Sequence, residues 1–486
     1  MKSKVPGLRI KKSNDALVHP DRRFILYWMI AARRTKWNFA LQRAIEWAVE
    51  LQKSLVVFEP LRVDYPWASA RFHRFILDGM THQKEAFADT PVRYYPYVEP
   101  SQGAGKGLLA TLAAESCVVV TDEFPGFMYP QMIDAASRRI DVLLEEVDGN
   151  GLFPLRAVAR TFPTAYAFRR ELQRQLPEHL ADRPTPDPLR RVSLRGRPSI
   201  PQAILDRWPA ATVSVLGGTL DALPLDRLVS PVDYRGGAAE GEKRLRKFLI
   251  TKLDNYGRHQ THPETDTTSR LSPYLHFGNV SSHQVLDSLI RREKWTPDLL
   301  GKNAAGKRAG WWGMSPGAEA FLDQLVTWRE LGYNYSSKRD DNKDFHSLPP
   351  WAIETLTVHA SDPREYVYSL EQLEMARTHD PLWNAAQTQL RRDGHIHTYL
   401  RMLWGKKLLE WTDCPQQALE YMIALNDKYA VDGRDPNSYS GISWVLGRYD
   451  RPWGPERPVY GKVRYMSSAN TARKMSIQNY IRKYAR

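Results

Sequence analysis

Apolar positions in the first third of the chain come in short blocks. FILYWM (24–29), LVVF (55–58), VRYYPY (92–97) and CVVVTD (117–122) are apolar runs of strand length. Between them lie NFALQRAIEWAVELQ (38–52), RFHRFILDGMTHQKEAFA (71–88) and KGLLATLAAES (106–116), whose apolar residues recur at helical spacing. In the first of these, Leu41, Ile45 and Ala48 share one face. Buried strands alternating with amphipathic helices predict a parallel sheet covered by helices, a Rossmann-like α/β domain over residues 1–170.

The pattern then changes. PEHLADRPTPDPLRRVSLRGRPSIP is rich in Pro and Arg and has few periodic apolar positions. It predicts a long interdomain linker wrapped on the surface, over 171–240. Helical patterns dominate from 241 to 486 and predict an all-helical domain. Ten of the fifteen tryptophans lie after residue 290, which makes this domain the place to seek a flat aromatic ligand. There is no internal repeat.

One helical segment holds two of those tryptophans in line. In RMLWGKKLLEW, Trp404 and Trp411 are two turns apart, about 10.5 Å along the axis. Core packing is the simplest reason. The upstream segment HDPLWNAAQTQL reads as a second helix and DG (393–394) as the turn between them. Trp383 lies eleven residues before Gly394 and Trp404 ten after it, so an antiparallel pair brings the two indoles level.

Composition narrows the function classes. The length predicts two or three domains. No apolar run is long enough to span a membrane, and the basic N-terminus lacks the apolar stretch of a signal peptide. With only Cys117 and Cys414, a disulfide framework or a cysteine zinc site is excluded, and a cytoplasmic protein is expected. The net charge of +14 predicts a polyanionic partner, most simply nucleic acid. Residues 451–486 hold nine Lys or Arg against the single acid Glu456, interleaved with Trp453, Tyr460, Tyr465 and Tyr480. Such a surface can grip phosphates and stack on bases; a solvated basic tail is the plainer alternative.

Two motifs carry little. GAGKG (103–107) resembles a phosphate loop but lacks the four-residue spacer and the following Ser or Thr, so it predicts a turn opening a helix. The pairs His259/His262 and His395/His397 have no further ligand at zinc spacing, and no metal is expected.

TSRLSPYLHFGNVS (268–281) says more. Thr268, Ser269 and Ser272 supply hydroxyls and caps ahead of Pro273, and Arg270 adds a cation, so the segment suits an anion at a helix start or simply a well-capped helix. TSRLSPYLHFG resembles the flavin-diphosphate motif of the DNA photolyase and cryptochrome superfamily. Tyr256 in KLDNYGRHQTHP matches the tyrosine that precedes that motif. FLDQLVTWREL (321–331), THDPLWNAAQ (378–387), RMLWGKKLLEW, LNDKYAVDGRDPNSY (425–439) and YGKVRYM (460–466) are similar to class II cyclobutane pyrimidine dimer photolyases, in the same order over nearly the whole chain.

The resemblance implies FAD in the helical domain and light-driven electron transfer to a dimer flipped out of UV-damaged DNA. Tyr256, Thr268, Ser269, Arg270, Leu271 and Ser272 would hold the cofactor, with Arg329 neutralising the diphosphate. Asn426 would approach the reactive flavin nitrogen, Asp432 would accept from the ring N–H groups, Asp435 would fix their loop, and Arg401 would face the flavin and pair with Asp450. Gln324, Trp328, Met402 and Trp444 would line the lesion pocket. Arg451, Trp453, Lys462 and Arg464 would contact the opened duplex, where a wedge lowers the cost of unstacking. Trp404, Trp383 and Trp411 would form a line, its members in the family's order, that can carry an electron between solvent and the flavin. A deazaflavin antenna chromophore in the α/β domain and a monomeric state are also implied.

Two departures qualify this. Gln324 stands where the family has a dimer-binding glutamate, with Asp323 on a different helical face. Leu403 replaces a tyrosine. Three readings compete: a repair lyase, a cryptochrome-like photoreceptor favoured by Gln324, and a DNA-binding protein without cofactor.

Overall fold

A computed structural model describes residues 3–485 except 191, 219 and 260. By internal packing the chain forms two compact units, each discontinuous in sequence. The first comprises Met1–Val158, Leu176–Arg246 and Arg270–Lys294; the second Ala159–Gln175, Lys247–Ser269 and Trp295–Arg486. No helix among the described residues is long and apolar enough to cross a membrane.

The first unit is built on a six-stranded sheet of β1 (Ile10–Lys12), β2 (Phe24–Trp28), β3 (Ser54–Leu61), β4 (Arg93–Val98), β5 (Ser116–Glu123) and β6 (Leu144–Asp148). The strand order is β1-β6-β5-β2-β3-β4. All neighbours pair in parallel except β1, which pairs antiparallel with β6 at the edge. The helix Phe39–Glu50 begins where the Asn38 side chain accepts from the Leu41 amide. It buries Leu41, Ala44, Ile45 and Ala48 against Ile25, Tyr27, Val57, Val118 and Val120.

The sheet is mixed, not purely parallel, and the apolar pattern passes over both strands that make it so. β1 is only three residues, two of them lysines. β6 reads LEEVD, yet all five residues are buried. Its carboxylates are matched. Glu145 accepts from Arg43 Nε at 2.7 Å and Trp47 Nε1 at 2.8 Å, and Glu146 from Lys11 Nζ at 3.0 Å. Pairing of this kind lets charged residues occupy interior positions.

At the carboxyl ends of β2 and β5 the strand order reverses, the place where such sheets commonly bind phosphate. Here the donors are already taken. The buried Asp122 carboxylate accepts from the amides of Ile30 (2.9 Å), Ala31 (2.8 Å) and Ala32 (2.9 Å) and from the Tyr27 hydroxyl (2.7 Å). GAGKG forms a turn closed by the Lys106 amide on Gly103 O at 3.0 Å and leads into the helix Leu108–Ala114.

The Pro- and Arg-rich stretch is more ordered than its composition suggests. The predicted linker, 171–240, begins inside the helix Ala165–His179 and contains the short helices Gln202–Arg207 and Val213–Gly217. Ile200, Ile204, Trp208, Leu216 and Val229 are buried. Trp208 donates to Ala104 O at 2.9 Å, and the Ala211 amide to Pro96 O at 2.8 Å. A few large apolar anchors and backbone bonds thus fasten a segment without periodicity.

The second unit is helical. Helix Arg329–Ser336 crosses helix Pro436–Val445 so closely at Gly332 that a Cβ there would meet Pro436 O at 2.8 Å and Asn437 Cα at 2.9 Å. Helix Pro381–Asp393 ends on Gly394 in the left-handed region (φ 69°), and Thr398–Trp411 returns from it.

Candidate functional site: two tryptophans beside a polar hub

The stretch FLDQLVTW changes helical pitch. Residues Pro316–Leu322 are α-helical, Asp323–Trp328 form a π-helical turn, and α-helix resumes at Arg329. Such wide turns are often found at functional sites because they re-aim side chains. Here the turn separates two neighbours. Asp323 points into the interior, where Arg169 Nε and Nη2 donate to its two oxygens at 2.7 and 3.2 Å. Gln324 stays half-buried. Asp323 is therefore engaged with Arg169 and leaves Gln324 as the polar side chain on the other face of the turn.

Trp328, the last residue of the π turn, stacks on Trp444 with ring centroids 4.6 Å apart and planes 22° apart. Both indoles are half-buried, as is Met402. The close crossing at Gly332 joins the elements that carry the two rings.

Asn426 is the centre of a polar cluster on the helix Pro415–Tyr429 and the loop after it. Its Oδ1 accepts from Arg401 Nη1 at 2.9 Å. Its Nδ2 faces Gly433 O at 2.7 Å, Asp427 Oδ1 at 3.1 Å and Ser438 Oγ at 3.2 Å. Arg401 also lies 3.9 Å from Asp432. The expected Arg401–Asp450 pair does not form. Asp450 instead accepts from Trp453 Nε1 at 3.0 Å and the Arg451 amide at 2.9 Å, so the arginine turns to the nearer carboxylate. Burial pushes the Asp427 carboxyl up to about 6, against the opposing pull of Tyr439, Arg434, Lys343 and Asn426.

Asp435 caps helix Pro436–Val445 by accepting from the Asn437 amide at 2.9 Å, and it also accepts from the Tyr333 hydroxyl at 2.7 Å. Arg329 is buried with its guanidinium over the Tyr333 ring at 4.2 Å, so Arg329, Tyr333 and Asp435 form one group. Tyr256 is buried edge-on to Phe248 and Phe321, at 5.6 and 5.5 Å.

Thr268, Ser269 and Ser272 are not helix caps. The helix they precede is only Ser272–His276, with Leu271 at its cap position and no side-chain cap. Arg270 has φ 56°, which bends the chain just before the helix and leaves the Thr268 hydroxyl donating to Asp266 at 2.9 Å. Thr268 and Ser269 fall in the second unit, and Arg270, Leu271 and Ser272 in the first.

A bound flavin needs acceptors for ring N–H groups and polar partners for its chain. Two buried oxygens suit that need: Asp432 Oδ1 and Thr267 Oγ1 have no hydrogen-bond partner. Burying oxygens that accept no hydrogen bond is costly, and Asp432 has only the longer Arg401 contact at 3.9 Å, so the pair fits a polar ligand. Sequence reasoning missed Thr267, although it adjoins Thr268.

Trp383 and Trp411 pack ring to ring, and Trp404 is tied to Trp383 through its backbone. Trp383 Nε1 donates to Trp404 O at 3.0 Å, and Trp404 Nε1 to Gln387 Oε1 at 2.9 Å. Trp383 and Trp411 lie 5.6 Å apart at 71°. All three are essentially buried, at 2%, 0% and 1% exposure for Trp404, Trp383 and Trp411, so the line as expected stops short of solvent. Beyond Trp411 lie His379 at 5.2 Å and Tyr368 at 5.5 Å. Tyr366, itself exposed, stacks on His379 at 3.9 Å. These outer rings escaped the sequence reading because they come from a loop without periodicity.

The C-terminal segment folds back on itself, with the Trp453 amide donating to Lys462 O at 2.8 Å. Trp453 is exposed, with Arg451 and Arg464 over its ring at 4.8 and 5.2 Å. Lys462 pairs with Glu456 at 3.3 Å. Arg457 over Tyr465, at 4.7 Å, was not singled out in the sequence.

Comparison with solved structures gives the class of fold. A bacterial class III photolyase from Agrobacterium tumefaciens superposes with a TM-score of 0.68 at 17% identity, over 96% of this chain and 86% of that one. The chain therefore has the photolyase fold, an N-terminal α/β part and a helical part. No family model matches the sequence. Relatives are nonetheless clear. The deoxyribodipyrimidine photo-lyase of Methanothermobacter thermautotrophicus is 33% identical over 476 residues, 97% of each chain. That of Potorous tridactylus is 30% identical over 480 residues, 97% of this chain and 83% of its own. The chain belongs to the deoxyribodipyrimidine photo-lyase family, within the photolyase and cryptochrome superfamily.

Proposed function

We propose that this protein is a light-driven lyase, of the class II kind, that returns cyclobutane pyrimidine dimers in UV-damaged DNA to monomers. The observation that carries the reading is the half-buried stack of Trp328 on Trp444. A flipped dimer loses its stacking in the duplex, and aromatic walls replace it. The family name of the relatives points the same way.

When bound, reduced FAD supplies the electron that light transfers to the dimer. Asp432 and Thr267 would hold it through side-chain oxygens that accept no hydrogen bond within the protein, and the family resemblance adds Tyr256, Thr268, Ser269, Arg270, Leu271, Ser272, Arg329 and Asp435 as cofactor-binding residues. Arg401 orients the Asn426 amide and sets a positive charge near Asp432. Gln324 can donate to or accept from a pyrimidine edge without adding charge. Trp404, Trp383 and Trp411 make the electron line, which Tyr368, His379 and Tyr366 extend outward. Arg451, Trp453, Lys462 and Arg464 meet the duplex. A deazaflavin antenna in the α/β unit and a monomeric, cytoplasmic protein complete the proposal.

Dimer-specific binding tests it in the dark. The holoprotein should bind a duplex with one thymine dimer many-fold tighter than the undamaged duplex. Trp328→Ala with Trp444→Ala should abolish that preference while binding to undamaged DNA persists. A wild-type protein without preference contradicts repair and leaves a photoreceptor.

A further inference from the structure

The helix Thr398–Trp411 buries two successive lysines, Lys406 and Lys407, immediately after Gly405. Lys407 has an evident partner, Glu410 at 2.8 Å. Lys406 does not pair with a carboxylate. At 1% exposure its ammonium donates to the carbonyl of Val445, the last residue of helix Pro436–Val445. The other carbonyls of that helix end are met by the backbone: Ser443 O by the Leu446 and Arg448 amides at 3.1 Å, and Trp444 O by the Gly447 amide at 3.0 Å. Lys406 thus meets the carbonyl that follows Trp444, at the negative end of the helix dipole. Gly405 brings the two helices together for this: a Cβ there would come within 2.7 Å of Val445 Cγ2 and 3.0 Å of Met422 Sδ.

We propose that Lys406 is a positioning residue that caps the helix carrying Trp444 and so sets that indole against Trp328. The proposal rests on the reading of Trp444 as a wall of the dimer pocket. Burial of the ammonium holds Lys406 down at about 7, with Asp450 pulling it up and Arg464 pushing it down. Around it on its own helix stand Glu410 and Lys407. From the C-terminal segment, Tyr460 donates to Lys406 O at 2.9 Å and Glu410 Oε2 at 2.8 Å. His359, paired with Asp362, lies against Gly461 of that segment. Near neutral pH the cap therefore passes between a charged and a neutral donor, and the charged form binds a helix carboxyl end more strongly.

The test follows Trp444 itself. In holoprotein labelled with 5-fluorotryptophan, the fluorine resonance missing from Trp444→Phe belongs to that ring. It should titrate with a midpoint near 7 in the wild type. In Lys406→Met it should not titrate over that interval, which separates Lys406 from His359. In Asp450→Asn the midpoint should fall, because an attraction for the proton is lost. A Trp444 resonance that does not titrate, or titrates unchanged in Lys406→Met, overturns the proposal. Should Lys406→Met fail to fold, an unmoved midpoint in Asp450→Asn overturns it equally. Affinity for a dimer-containing duplex should weaken several-fold as pH rises through the same interval, and only in protein with Lys406; a flat affinity beside a titrating resonance also overturns the positioning role. Absence of dimer affinity at every pH contradicts the repair reading instead, and the resonance still decides the cap.

Discussion

Gln324 and Asp427 govern what single residues do at this site. Gln324 keeps hydrogen-bonding capacity but no charge, and Asp323 is committed to Arg169. Gln324→Glu should raise the quantum yield of dimer splitting, measured as dimers lost per photon absorbed; an unchanged yield means the charge has no role there. Asp427 is raised to about 6 by burial. The unfolded chain ionises this carboxyl near pH ~3.9, before the folded protein does. The folded protein therefore loses stability as pH rises from ~4 to about 6 and is level above that. Asp427→Asn removes the titration. Its Tm relative to the wild type should climb across that window and then stay constant. A Tm difference independent of pH would mean Asp427 ionises normally.

Between elements, the site depends on close helix crossings and on one change of pitch. Gly332→Ala forces a methyl against the backbone of Pro436 and Asn437, and overpacking of this kind costs about 1–3 kcal/mol. A lowered Tm together with weaker dimer affinity is the expected result, because the same crossing sets the Trp328–Trp444 stack. The helix pair with Trp383 and Trp404 supports a second prediction. Trp404→Phe should leave flavin bound but stop its photoreduction, followed as bleaching of the oxidised flavin band. Unchanged photoreduction would make the aligned rings packing only. The antiparallel pair about Gly394 was readable from spacing, since the period of a helix fixes which side chains come level. The π turn was not, because DQLVTW has an ordinary helical pattern and its wider pitch comes from tertiary contacts such as Arg169 on Asp323. The acidic strand β6 was hidden for a similar reason: its partners Arg43, Trp47 and Lys11 are distant in sequence.

For the whole molecule, alternating strands and helices followed by helices alone were enough to read the fold class, since local period dictates it. The packing into units was less legible. Residues 159–175 pack with the second unit and 270–294 with the first, so compact units do not follow chain order. The motifs led to Asn426, Asp432 and Trp328 because those residues sit in runs similar to a known family, whereas Thr267, Tyr368, His379 and the role of Lys406 became visible only through burial and contact. The proposed function is that, with reduced flavin bound, absorbed light splits pyrimidine dimers. The most direct test is to illuminate the reduced holoprotein with dimer-containing DNA and count the thymines restored, against a dark control. Restoration is expected only in the light and in proportion to photons absorbed. Equal dimer content in lit and dark samples, with flavin bound and reduced, would contradict it.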